Sequence, residues 1–136
     1  LNKMIEDLPL DIRFTIARWV NDASGFYENG TLGNIELWGV YSSDIPKARD
    51  YNKDKDFLKL VSSDTSKYRR LGETALDGTL VLHLLRKDLP SGILFRPVGY
   101  GKHIKIKYLN MHEIMMQSKE EYDMRQFRMK MYYINN

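Results

Sequence analysis

The first clear pattern of hydrophobic and polar residues along this chain has the spacing of a helix. Asp7 can cap its start, and Pro9 falls in the first turn, where its missing N–H costs little. We therefore predict an amphipathic helix over residues 8–22. Its apolar positions recur every three or four residues and are Leu8, Ile12, Ile16, Trp19 and Val20.

Three later segments have the composition of strands. Residues 34–41 and 93–98 are rich in β-favouring side chains, and Pro97 places the second segment at a sheet edge or near its own end. Residues 79–86 fit either a helix or a strand that is buried on both faces. We favour the strand because turn-forming residues follow it.

Two segments nearer the C-terminal end alternate between apolar and polar residues. Residues 103–109 have the alternation of a half-exposed strand, with Ile104, Ile106 and Tyr108 on one face. The side chains on the other face are His103, Lys105 and Lys107. Residues 127–133 alternate as well, although Met and Lys favour helices. We predict a helix capped by Asn110 and then a terminal strand, and the alternative is one continuous helix.

Short helices are also predicted in the middle of the chain. One covers residues 56–61, and another follows a cap at residues 62–64 and runs to Leu71, where Gly72 ends it. The elements together predict an α+β fold. It has an antiparallel sheet of four to five strands, with the N-terminal amphipathic helix and one or two further helices packed on one face.

The length and composition indicate one globular domain over residues 1–136. An apolar share of 43% and a charged share of 29% argue against disorder. The sequence has neither the roughly 20 consecutive apolar residues of a membrane span nor a signal-peptide pattern. We expect a soluble protein, with an intracellular location favoured. Because the first residue is Leu1 rather than methionine, we also expect native sequence to precede it.

The sequence lacks the residues needed for most metal sites and catalytic nucleophiles. The chain has no cysteine and three histidines, which excludes disulfides, thiolate zinc sites and a cysteine nucleophile. No glycine-rich phosphate loop is present, and Met116 stands where a zinc-binding H-E-x-x-H motif needs its second histidine. We expect no cofactor or bound metal and favour a non-catalytic role. The remaining catalytic candidates are His83, Glu73 and Asp77, the two carboxylates as a metal-dependent nuclease site.

Positive residues carry the leading functional hypothesis. The formal net charge is +3, which favours an anionic partner, and nucleic acid is the best candidate. Cations on alternate strand residues lie about 7 Å apart, a spacing suited to successive phosphates. Tyr132 could stack on a base. The predicted contacts are Lys102, His103, Lys105, Lys107, Arg128 and Lys130, with a second cluster of Lys67, Arg69 and Arg70.

Each of these clusters also has a structural explanation. Lysines on alternate positions are common on solvated sheet faces, where they oppose edge-to-edge aggregation. Arg70 can pair with Glu73 in the second cluster. An alternative function is a structural or assembly protein, viral or otherwise, that self-associates through its C-terminal segment. The residues predicted for that interface are Phe127, Met129, Met131 and Tyr133. A protein partner is also considered, and an anionic membrane surface is less favoured.

Overall fold

Strands dominate the computed structural model, which describes residues 8–121 and 124–133. Strands make up 49% of the described residues and helices 16%. The described strands are β1 (Pro9–Asp22), β2 (Gly25–Thr31), β3 (Ile35–Val40), β4 (Tyr68–Glu73), β5 (Thr79–Leu85), β6 (Gly92–Pro97), β7 (Lys107–Asn110), β8 (Lys119–Glu121) and β9 (Met124–Tyr132). The described helices are α1 (Asp54–Ser63) and α2 (Met111–Gln117), and a short 3-10 turn covers Ala48–Asp50.

The predicted N-terminal helix is wrong, because the segment forms the long strand β1. It carries a second pattern besides the helical one, an alternation of apolar residues at every second position. A strand places such residues on one face. All four of them are buried: Leu10, Ile12, Phe14 and Ile16.

The strands form two sheets rather than the single antiparallel sheet that was predicted. The first sheet has the order β2-β1-β9-β8, with β5 paired to the first half of β1. β1 and β9 run parallel, which also departs from the prediction. The second sheet has the order β4-β3-β6-β7, and all of its pairs are antiparallel. The fold is thus mostly β, with the two helices added to a pair of sheets.

The main core lies between the inner faces of the two sheets. Phe14 on β1 packs against Phe127 on β9 and Phe95 on β6, with ring centroids 5.4 and 6.0 Å apart. A smaller core lies on the outer face of the second sheet, where Phe57 and Val61 of α1 are buried. The central strand β6 therefore contributes to both cores.

Several local predictions are confirmed. β3, β5 and β6 lie where strands were expected, and α1 covers the short helix predicted at residues 56–61. α2 begins after Asn110, whose side chain accepts a hydrogen bond from the backbone N–H of Glu113. The terminal segment is the strand β9 and not a continuation of that helix.

Other local predictions are wrong. The helix predicted up to Leu71 is replaced by β4, which pairs with β3. β7 is shorter than the strand predicted over residues 103–109, although Lys105 and Lys107 remain exposed and Ile104 is buried. β5 is buried on one face only, since Val81 and His83 are exposed.

A change of partner occurs at the middle of β1. β5 pairs with β1 up to Thr15, and β2 pairs with it from Ala17 onward. Between them, the Ile16 N–H donates to the carbonyl of Gly78, and the Ile16 carbonyl accepts from the N–H of Leu32. Both backbone groups of Ile16 are therefore satisfied where the two neighbouring strands meet.

Candidate nucleic-acid interface

The candidate site is a groove beside the C-terminal half of β9. β8 pairs only with the first three residues of β9, Met124 to Gln126. Beyond that point the segment over residues 104–107 lies next to the strand, and the two enclose a groove of about 360 Å³. The groove is lined by Ile104, Lys105, Ile106, Lys107, Lys130, Met131 and Tyr132.

The charge of this groove is positive. Three of its described lining residues are lysines and none is acidic. Among the side chains of residues 8–119 and 124–133, no carboxylate lies within salt-bridge distance of Lys105, Lys107 or Lys130. The floor is apolar, since Ile104 and Met131 are buried there. The groove therefore offers exposed ammonium groups above a hydrophobic base.

Two further grooves extend the positive surface, one beside residues 105–107 and the other beside Arg128. One, of about 440 Å³, shares Lys105 and Lys107 and adds Lys53. The other, of about 410 Å³, is lined by Lys119 and Arg128 together with two glutamines. Arg128 precedes Lys130 by two residues on the same exposed face of β9, so their Cα atoms are about 7 Å apart.

An aromatic group borders the same groove. The Trp19 ring lies below the ammonium group of Lys130. The Phe26 ring is tilted against Trp19 and stacks on Tyr132. The predicted site residues did not include Trp19, Phe26 or Lys53. A period-two reading of β1 would have placed Trp19 on the exposed face, whereas the predicted helix placed it in the core.

His103, the first residue of the strand predicted over residues 103–109, lies near the end of β9. The His103 ring stacks on Tyr133, which directly follows β9, with centroids 5.4 Å apart. Arg18 lies over the same tyrosine, 5.3 Å from its centroid. Lys102 is exposed in the turn before His103. His103 is therefore held near the C-terminal end of β9.

The second predicted cluster lies at the opposite edge of the second sheet, on and before β4. Arg69 pairs with Asp88 at 3.1 Å and stacks over Tyr41. Arg70 pairs with Glu36 at 3.1 Å and with Glu73 at 3.3 Å. The third member, Lys67, is exposed in the turn before β4. Because acidic groups neutralise its two arginines, this cluster does not extend the groove.

The residues predicted for self-association occupy a different environment. Phe127, Met129 and Met131 are buried in the main core, which leaves them no surface to offer a partner. Tyr133 is half-buried and stacks on His103. The alternation of these residues reflects the inner face of β9 rather than an exposed contact surface.

The catalytic candidates have local structural partners. Asp77 accepts hydrogen bonds from the Thr79 hydroxyl and backbone N–H, which lower the pKa of its carboxyl group. Glu73 pairs with Arg70, and His83 Nδ1 lies 2.6 Å from an oxygen of Asp11 on the exposed sheet face. In the described part of the chain, no three His, Asp or Glu side chains gather as metal ligands would.

Neither helix in the described residues has the length and apolar character needed to cross a membrane. Comparison of the chain with protein-family models, with curated proteins and with solved structures finds no match.

Proposed function

We propose that this protein binds nucleic acid through the basic groove between β9 and residues 104–107. The observation that carries the proposal is that Lys105, Lys107 and Lys130, which come from two distant parts of the sequence, line one groove without a carboxylate among its described residues. Arg128 extends the row along β9.

A phosphate backbone suits this arrangement for electrostatic reasons. Each lysine or arginine that neutralises a phosphate releases condensed counterions, and this release favours binding at low salt. The half-exposed ring of Tyr132, which lines the groove, can contact a sugar or a base while the ammonium groups contact phosphates. A small metabolite would not need a row of cations that continues to Arg128 and to Lys119.

A charge-matched pair of variants tests the proposal. The first variant replaces Lys105, Lys107, Arg128 and Lys130 with glutamine. The control replaces four exposed cations outside the groove, Lys47, Lys55, Lys59 and Arg86, with glutamine. Both lose the same four positive charges from a formal net charge of +3, so any general effect of charge is equal in the two. Thermal unfolding establishes that both are folded.

The measurement is affinity for a labelled nucleic acid over a range of salt concentrations. We expect the groove variant to bind more weakly and to have a salt dependence whose slope, log K against log salt, is smaller by about three. The control should keep most of the wild-type slope. Equal affinities and slopes for the two variants would refute the proposal.

A further inference from the structure

Three aromatic side chains pack together on the exposed face of the first sheet. Trp19 on β1, Phe26 on β2 and Tyr132 on β9 come from three adjacent strands. The Phe26 ring lies between the other two, with its centroid 4.7 Å from that of Trp19 and 5.3 Å from that of Tyr132. Phe26 and Tyr132 are 50% and 47% exposed. The group therefore presents ring surface to solvent.

The main core does not account for this group. The buried side chains of β1 and β9 lie on the opposite face of the sheet. The register pairs Trp19 with Tyr132 and Asn21 with Phe26, which places the three rings together on the outer face. Stacking among the rings helps to hold β2 against β1, but it leaves about half of two large aromatic residues in water.

The aromatic group is continuous with the basic groove. Tyr132 belongs to both, since it lines the groove together with Lys105 and Lys107. Lys130, the third lysine of the groove, has its ammonium nitrogen 4.0 Å from the Trp19 ring centroid. Cations and exposed rings thus lie side by side on one surface.

We infer that the nucleic acid bound here is single-stranded, an inference that rests on the proposed function above. Single strands expose the faces of their bases, which stack on aromatic side chains while cations follow the backbone. A duplex keeps its bases stacked inside and offers no base face to these rings. The half-exposed rings of Phe26 and Tyr132 would then bind bases, and the three groove lysines would bind the adjacent phosphates.

The test compares oligothymidylate, oligouridylate and a DNA duplex of equal length, each labelled, on the full chain. Phe26→Leu and Tyr132→Leu remove a ring face and keep apolar bulk, while Phe26→Tyr keeps the face. We expect each leucine variant to lose roughly tenfold in affinity for the single strands, as base stacking predicts. Their salt slopes should not change, because no cation is removed. Phe26→Tyr should lose less affinity than Phe26→Leu, because it keeps the ring face. The duplex should bind more weakly than at least one of the two single strands.

Fluorescence gives a second readout at the site. The chain has two tryptophans, and Trp38 packs against Phe57 of α1 on the second sheet. In a Trp38→Phe background the emission reports Trp19 alone, and we expect single strands to quench it more than the duplex does.

Two results would overturn the inference: single-strand affinities that are unchanged in both leucine variants, or duplex binding at least as tight as that of both single strands. Either result would leave the proposed function standing if the groove variant still binds nucleic acid more weakly than its control. Equal affinities of the groove variant and its control would instead refute the proposed function and this inference together.

Discussion

The ammonium nitrogen of Lys130 lies 4.0 Å from the centroid of the Trp19 ring. The two residues sit on the parallel neighbours β9 and β1, where Lys130 is opposite Ala17 and Trp19 is opposite Tyr132. The lysine therefore reaches diagonally along the sheet. This contact fixes the position of one groove cation beside the exposed aromatic group.

A double-mutant cycle measures that contact. Trp19→Leu and Lys130→Met each remove one partner, and we expect a coupling of about 0.5–1 kcal/mol in the free energy of unfolding, typical of exposed cation–π pairs. Urea denaturation of the wild type, both single variants and the double variant gives the value. As a control, Lys107→Met combined with Trp19→Leu should be additive. A coupling near zero for the Trp19–Lys130 pair would contradict the structure.

Gly78 supports the point where β1 changes partner. It has a positive φ of 78°, and a Cβ there would lie 2.5 Å from the carbonyl oxygen of Ile16. Gly78→Ala combines backbone strain, about 1–3 kcal/mol, with a clash against backbone that cannot rotate away. Gly99→Ala is the matched control, because its φ is 86° and nothing lies near the added Cβ.

We therefore expect Gly78→Ala to lower the free energy of unfolding by more than Gly99→Ala does, and the excess measures the clash. Thermal or urea unfolding of the two variants provides the comparison. Equal losses of unfolding free energy in the two variants would show that a Cβ at Gly78 does not clash with the Ile16 carbonyl.

Glu36 makes the stability depend on pH. Burial alone raises the pKa of its carboxyl group, but hydrogen bonds from Arg96, Trp38 and Arg70 outweigh this effect and lower the pKa below its ordinary value of 4.5. The side chain is 14% exposed. Because the folded state holds the carboxylate more strongly than the unfolded state, Glu36 contributes stability above about pH 4.5, and that contribution is lost as the pH falls through the lowered pKa.

Replacement of this carboxylate should show the same pH dependence. We expect Glu36→Gln to cost about 1–3 kcal/mol at pH 7, since it weakens charged hydrogen bonds to two arginines. The difference in free energy of unfolding between the variant and the wild type should become smaller below pH 4.5. Glu73→Gln, which alters only an exposed pair with Arg70, should cost less than about 1 kcal/mol. If the difference in free energy of unfolding for Glu36→Gln stays constant from pH 7 to below pH 4.5, Glu36 is not the source of the pH dependence.

The elements that could be predicted from the sequence are those whose signals are local. Asn110 and Glu113 are three residues apart and form a capping pair whatever the rest of the chain does. Residues 9–22, in contrast, carry both a helical and an alternating pattern. The strand is favoured by pairing with β9, more than a hundred residues away, and no local window contains that information.

The same reasoning applies to the candidate site. Alternation identified Lys105, Lys107, Arg128 and Lys130 as exposed cations, because solvent exposure follows from period two. It could not show that residues 104–107 lie beside the end of β9. Phe26 was missed because the hairpin that brings it to Tyr132 depends on β1 being a strand.

The parallel pairing of β1 with β9 also has a consequence for synthesis of the chain. β1 is made early, yet one of its edges stays open until β9 leaves the ribosome. Until then it is a long strand with an apolar face and unpaired backbone groups, the kind of species that aggregates. Completion of the first sheet must await β9, more than a hundred residues after β1, so we expect folding to be slow, as contacts between distant residues dictate.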